Sequence, residues 1–257
     1  MKLNNEIVEK ELVDFIRNET NKIGIRKGVI GLSGGIDSAT STYLTAKALG
    51  GDNVLAVLMP YKTSSNDSIE DANRIIENLN IRSKTVEITE MVYTYLEREE
   101  NKDMSDIRKG NIMARVRMII LYDESVRENA LVMGTGNKTE ILLGYTTLFG
   151  DSACAINPVG DLYKTQLREL ARYMGVPDEI INKKPSADLW IGQTDEDELG
   201  HKYEDIDNYL YQMLDEKKPA AELIKAGFDM SFMQSINDMI SKNEFKRLPP
   251  VIAKIKK

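Results

Sequence analysis

The chain has 257 residues, 42% hydrophobic and 29% charged, which is a globular composition long enough to bury one substantial core. A formal net charge of −7 argues against broad nucleic-acid binding and leaves room for a local basic pocket. One cysteine, Cys154, and one histidine, His201, exclude an internal disulfide and a Cys/His zinc cluster, and no apolar run reaches the ~18 residues of a membrane span, so a cytoplasmic setting is expected.

In chain order, Ile7, Leu12, Phe15, Ile16 and Ile23 fall near helical spacing and predict a first amphipathic helix. The same stretch is too polar and periodic for a signal peptide. KGVIGLS (27–33) is short, apolar and bounded by glycine, a buried strand. Residues 37–49 form the next helix, stopped by Gly50 and Gly51. NVLAVLMP (53–60) is a second buried strand. Ile69, Ala72, Ile75, Ile76 and Leu79 then share one face of a helix that opens on capping residues. SKTVEIT (83–89) reads as a third strand, residues 104–127 as a long helix and NALVMGTGN (129–137) as a fourth strand. Beyond residue 160 the chain is mostly helical, and the acidic run TDEDELG (194–200) reads as a loop or a solvated helix start. Strands that alternate with helices and are nearly continuously apolar predict an α/β fold. The expected architecture is one domain over 1–257: an open parallel sheet with helices on both faces, Rossmann-like, with a helical C-terminal region.

GLSGGIDS (31–38) lies between the first strand and its helix, where open parallel sheets bind ligands. Gly34 and Gly35 let the backbone turn sharply and approach an anion, and Ser33 and Ser38 add hydroxyl donors. No lysine follows the glycines, so this is not the common G-x-x-x-x-G-K-[ST] loop. Alone, SGG would be a plain strand-to-helix turn with Asp37 as its cap. The full S-G-G-x-D-S in this context resembles the pyrophosphate loop of the N-type ATP pyrophosphatases, which split ATP between its α and β phosphates and transfer AMP to an acceptor. The resemblance implies that Gly31, Leu32, Ser33, Gly34, Gly35, Ile36, Asp37 and Ser38 hold ATP and that Asp37 is a magnesium ligand.

Further stretches are similar to the NAD synthetases within that superfamily. GTGNKTE (134–140) followed by TTLFGD (146–151) supplies Thr135 as an ATP contact and Glu140 as a second magnesium carboxylate. NIMARVRM (111–118) supplies Arg115 as a contact to deamido-NAD. INPVGDLYK (156–164) brings Lys164 to the ATP phosphates, and KKPSADLW (183–190) places Ser186 as another ATP contact. FKRLPP (245–250) supplies Lys246 for the dinucleotide. By residue type alone, Glu140 reads rather as a helix-capping acid, Arg115 as a solvated or salt-bridged arginine and Lys164 as an ordinary first-turn lysine. The chain departs from a well-known proteobacterial form at Leu148, Ala155 and Phe245, where a lysine, an aspartate and a histidine contact the dinucleotide.

The resemblance implies a ligase that uses ATP and magnesium to join ammonia to deamido-NAD through an acyl adenylate, and a homodimer with no nucleic-acid or membrane partner. The nicotinate carboxylate is ionised at neutral pH, so the first half-reaction needs positioning and charge neutralisation and no general base. The ammonia step needs a proton acceptor, for which Asp151 is the candidate. Met1 and Lys2 offer no N-terminal nucleophile, and nothing marks His201 as a partner of Cys154, so free ammonia rather than glutamine is expected. Two rival readings stand beside this one: another adenylating ligase of the loop family, such as one acting on tRNA, and a non-catalytic nucleotide sensor.

Overall fold

Four short strands set the frame. The computed structural model describes residues 2–98, 104–186, 190 and 192–255. In order these form α1 (Asn5–Ile23), β1 (Gly28–Gly31), α2 (Ile36–Leu49), β2 (Val54–Leu58), α3 (Asn66–Leu79), β3 (Arg82–Thr85), α4 (Thr89–Arg98), α5 (Asp106–Glu128) and β4 (Leu131–Met133). There follow α6 (Lys138–Leu143), α7 (Lys164–Tyr173), α8 (Asp178–Asn182), α9 (Asp195–Leu199), α10 (Tyr203–Leu210), α11 (Ala220–Lys225) and α12 (Met230–Lys242).

All strands pair in parallel in the order β3-β2-β1-β4, with Gly28 opposite both Val54 and Leu131. Ile156 adds one parallel bridge beyond Met133. The chain builds β1, β2 and β3 outward in one direction and then places β4 on the other side of β1. The connections after β1 and β4 therefore diverge at the carboxyl ends of these strands, the point where such sheets open a crevice for ligands. Ser41 on α2 closes the floor of that crevice by donating to the Gly134 carbonyl at 2.7 Å.

Alternation along β2 assigns the two faces. Val54, Ala56 and Leu58 pack with Ile16 of α1, Leu44 of α2, Ile75 of α3 and Leu167 of α7. Leu55 and Val57 pack on the other side with Ile88, Val92 of α4, and Met113 and Ile120 of α5. Helices thus cover both faces, as predicted, and each fully buried aliphatic side chain contributes roughly 1.5–3 kcal/mol. A third cluster, including Tyr163, Tyr203, Tyr209 and Ile236, holds the C-terminal helices against α6 and α7.

The structure differs from the sequence-based expectation in three places. The third strand is shorter than 83–89 and largely exposed, because β3 is a sheet edge. Arg82 and Lys84 there pair with Glu128 and Glu124 of α5, and such charges guard an edge against further strands. Thr89, expected in that strand, instead starts α4, which the sequence reading did not anticipate. The acidic run forms α9, and its first residue, Asp195, is buried rather than solvated.

Gly34 has φ +80, and a Cβ there would lie 2.1 Å from the Ser68 carbonyl oxygen in the first turn of α3. Gly34→Ala should therefore cost at least ~1–3 kcal/mol, read as a lower thermal midpoint. An unchanged midpoint would contradict this packing.

Candidate active site

The loop after β1 is held by its own serines. The Ser33 amide donates to Ser38 Oγ at 3.2 Å, Ser38 Oγ donates to the Gly35 carbonyl at 3.0 Å, and the Gly35 amide donates to Ser33 Oγ at 3.3 Å. Gly35 is the N-cap of α2, and no side chain caps that helix. The first amides of a helix have no partner within it, so this end of α2 is a cradle for an anion. Asp37 is not the cap. Its carboxylate turns away and accepts from Asn137 Nδ2 at 2.8 Å and from Lys164 Nζ at 2.5 Å.

Lys164 is the centre of the site. It is the first residue of α7 and only 2% exposed. Its ammonium also bonds Glu140 Oε1 at 3.1 Å and lies 5.1 Å from the centre of the Tyr203 ring. The ordinary first-turn lysine allowed by the sequence is thus a buried cation bridging two acids. Burial alone would lower its pKa, but Asp37 and Glu140 outweigh burial and raise it, so the ammonium stays charged. Glu140 does both jobs open to it. Its Oε2 accepts from the Asn137 amide in a capping box at the start of α6, while its Oε1 faces Lys164. Burial pushes its carboxyl up to about 8 against the pull of Lys164, with Asp37 and Asp195 adding to the rise.

Three residues absent from the sequence reading complete this centre. Asp195 accepts from Tyr203 Oη at 3.1 Å and Tyr145 Oη at 3.2 Å, and burial raises its pKa while Lys164 opposes the rise. Both tyrosines are raised by burial and by nearby carboxylates, so they remain donors. The centre therefore sets three carboxylates, Asp37, Glu140 and Asp195, against one ammonium. Asp195 was hidden by its acidic neighbours. A usable signal was nearby, since Tyr203, Ile206 and Leu210 mark the apolar stripe of α10.

A second group gathers around the loop before residue 152. Asn111 and Arg115, one turn apart on α5, hold it: Thr147 Oγ1 donates to Asn111 Oδ1 at 2.7 Å and Arg115 Nη2 donates to the Leu148 carbonyl at 3.1 Å. Arg115 is otherwise exposed and does not reach the Lys164 centre. Asp151 Oδ1 accepts from the Thr147 amide at 2.8 Å. Its outer edge is open to solvent, yet protein atoms crowd the carboxyl, and this burial raises its pKa against the Thr147 amide and Lys246. Lys246 donates to the carbonyls of Gly144 at 2.7 Å and Thr146 at 3.0 Å. Asp151, Lys246, Gly134, Thr146, Cys154 and Asn157 line a cavity of about 160 Å³. Asn157 Oδ1 is buried there without a hydrogen-bond partner. Burial raises the Cys154 thiol, which makes it a poor nucleophile, and His201 packs on Phe232 instead.

Thr135 lies between Gly134 and Gly136, just beyond the carboxyl end of β4, which neighbours β1. Ser186 is exposed at the end of a segment tethered to the loop indirectly. Lys183 Nζ bonds Asp71 at 2.9 Å and Ser68 at 3.1 Å, and Ser68 abuts Gly34. The Pro185 carbonyl accepts from the Asp195 amide at 3.0 Å. The rest of the KKPSADLW motif, residues 187–189, lies outside the described residues.

An open parallel sheet with an uncapped helix start at its switch point, beside a buried lysine and paired carboxylates, defines an α/β nucleotide-handling protein. The family is narrower. A model of the NAD synthase family matches residues 8–250, and the chain belongs to that family. It is 52% identical over 255 residues to an NH3-dependent NAD+ synthetase of Fusobacterium nucleatum, covering 99% of this chain and 98% of that one. Among solved structures it is similar to an NMN synthetase from Francisella tularensis, with TM-score 0.88, 33% identity and 99% and 100% of the two chains covered. An NH3-dependent NAD synthetase from Campylobacter jejuni, solved with a nitrate ion, gives TM-score 0.84 and 34% identity over 98% and 100%.

The raised Glu140 carboxyl predicts a pH dependence. In the metal-free folded chain it holds its proton up to about 8, against 4.5 when unperturbed, so its contribution to stability is full below 4.5 and lost as pH rises through 8. The metal-free thermal midpoint should fall between about pH 4.5 and about pH 8 and level off above that, and Glu140→Gln should flatten the fall. A profile with the same slope in both proteins would refute the assignment.

Proposed function

We propose that the chain is an ammonia-dependent NAD synthetase that joins ammonia to deamido-NAD with ATP, giving NAD, AMP and pyrophosphate. The observation that carries this reading is Lys164 bridging Asp37 and Glu140 beside the uncapped start of α2. The family and the full-length relatives agree with it. A fixed cation and free helix amides suit the two phosphates that leave as pyrophosphate.

Magnesium fits this centre. Among the described residues no group of three or more His, Cys, Asp or Glu forms a metal cage. Magnesium needs none, because it takes one or two carboxylates and completes its shell with phosphate oxygens and water. The excess of carboxylates over ammonium, and the raised Glu140, leave the site short of positive charge. Asp37 and Glu140 would hold the ion, and when bound it would neutralise phosphate charge.

The residues then divide the work. The 31–38 loop, Thr135 and Ser186 bind ATP. Lys164 holds the phosphates in line with the nicotinate carboxylate, whose oxygen bonds to the α-phosphorus as the bond to the β-phosphate oxygen breaks. Arg115 and Lys246 serve the deamido dinucleotide. Ammonia attacks the acyl carbon, AMP leaves with the electron pair of the acyl C–O bond, and Asp151 accepts a proton. Asp151 and the unpaired Asn157 oxygen are both acceptors on one cavity wall, which suits ammonium, a pure donor.

We also propose a homodimer in the cytoplasm. Ile119, Tyr122 and Val126 form an exposed stripe along α5, and Val126 is 83% exposed. Such a stripe needs a cover, and an isologous contact with a second copy supplies one. Among the described residues no helix is long and apolar enough to cross a membrane.

Purified protein given ATP, magnesium, ammonium and deamido-NAD should form NAD and release pyrophosphate. Glutamine in place of ammonium should give no NAD, and tRNA in place of the dinucleotide should give neither NAD nor pyrophosphate. The acid counterpart of NMN should be the poorer substrate, and the reverse preference would replace deamido-NAD as the substrate. Asp37→Asn should lower adenylate formation at least ~10²-fold while dinucleotide binding changes little. Asp151→Asn should slow the ammonia step and spare adenylate formation; equal turnover at limiting ammonium would remove its role. Light scattering should report a dimer, and Ile119→Glu should give monomers.

A further inference from the structure

We infer that Asp207, which touches no substrate in this reading, is the positioning residue that sets Glu140 and Lys164 at their working separation. The inference rests on the function proposed above. Asp207 lies on α10 and is 0% exposed. One carboxylate oxygen accepts from Thr139 Oγ1 at 2.5 Å, and the other accepts from the Thr165 amide at 2.8 Å. Thr139 Oγ1 in turn accepts from the Lys164 amide at 3.1 Å.

The sequence positions give these bonds their meaning. Thr139 immediately precedes Glu140 on α6, and Lys164 and Thr165 open α7. One carboxylate therefore grips the first turns of both helices that carry the charged pair. α6 and α7 are otherwise joined near this point by the Lys138 amide donating to the Leu162 carbonyl at 2.8 Å. A negative charge at the start of α7 is also favoured by that helix's dipole. Tyr203, four residues before Asp207 on the same face of α10, lies under the Lys164 ammonium, so one helix face addresses both ends of this lysine.

The geometry needs a carboxylate. Both oxygens receive hydrogen bonds, so an asparagine would turn its NH2 group toward one of the two donors. It also needs the Thr139 hydroxyl, which accepts from one group and donates to the other. A valine there keeps the shape and loses both bonds.

The test uses Asp207→Asn, Thr139→Val and the conservative Thr139→Ser in the full chain. Thr139→Val is nearly isosteric and keeps the test available should Asp207→Asn fail to fold. Two readouts are taken on protein whose thermal midpoint shows a folded state. The first is acetylation of Lys164 by acetic anhydride, followed by mass spectrometry against an exposed lysine. It requires no activity, so it separates failure of this inference from failure of the functional reading, which pyrophosphate release by the unmodified chain decides. The expected result is faster acetylation of Lys164 in Thr139→Val and Asp207→Asn, with Thr139→Ser close to the unmodified chain. The second is steady-state kinetics. In those same two variants kcat should fall about 10–100-fold and the magnesium needed for half-maximal rate should rise, with KM for the dinucleotide nearly constant and serine restoring most of the rate. Unchanged Lys164 reactivity in folded Thr139→Val would overturn the inference. So would a loss in kcat and KM alike that serine does not restore.

Discussion

The rest of the structure is arranged around one ammonium group with too many acids about it. Lys164 meets Asp37, Glu140 and the field of Asp195, and these four residues come from α2, α6, α7 and α9. A buried ion pair of this kind gives little net stability, because desolvation offsets most of the attraction. Its worth lies in what it fixes. The pair joins the helix after β1 to the helices after β4 across the switch point of the sheet, and Ser41 and Asn137 add bonds along the same seam. Removing Lys164 would leave the surrounding acids without a cation in the interior, so the lysine holds the centre together.

A lesser constraint governs the loop that carries Asp151. It is gripped from three sides, by Asn111 and Arg115 on α5 and by Lys246 near the chain's end, whose ammonium takes two carbonyls just upstream. Gly150 permits the close approach, since a Cβ there would lie 3.0 Å from the Ala114 methyl. The N-x-x-A-R spacing thus describes a helix face shaped to receive a loop. The departures at Leu148, Ala155 and Phe245 fall around this loop or next to Lys246. Leu148 offers Arg115 its backbone carbonyl, a contact that tolerates any side chain.

Much of the sheet was legible in the sequence because local geometry writes it there, whereas Asp37, Glu140 and Lys164 were singled out only by the family resemblance. The glycine turn at Gly34 and Gly35, the capping role open to Glu140 and the apolar runs of β1 and β2 are each decided within a few residues. Asp195 and Asp207 were not legible. Each stands among other acids, and only tertiary packing determines that these two turn inward while Asp205 stays in water. For Asp207 the periodicity held a clue, since Tyr203, Ile206, Asp207 and Leu210 share the buried stripe of α10 and an acid on such a stripe needs a purpose. β3 was misjudged for the opposite reason. Its alternating residues fit a strand, but edge position is a property of the whole sheet.

The bare start of α2 carries a consequence for how such a chain can change over time. Gly35 is the N-cap of α2, and a serine or aspartate there would stabilise the helix by only a few tenths of a kcal/mol. In the function proposed here the capping oxygen would occupy the place of the incoming anion and repel it. The chain thus keeps a permanent small deficit in stability at this one turn. A cap would close that deficit, and anion binding in the proposed function is what leaving it open would serve.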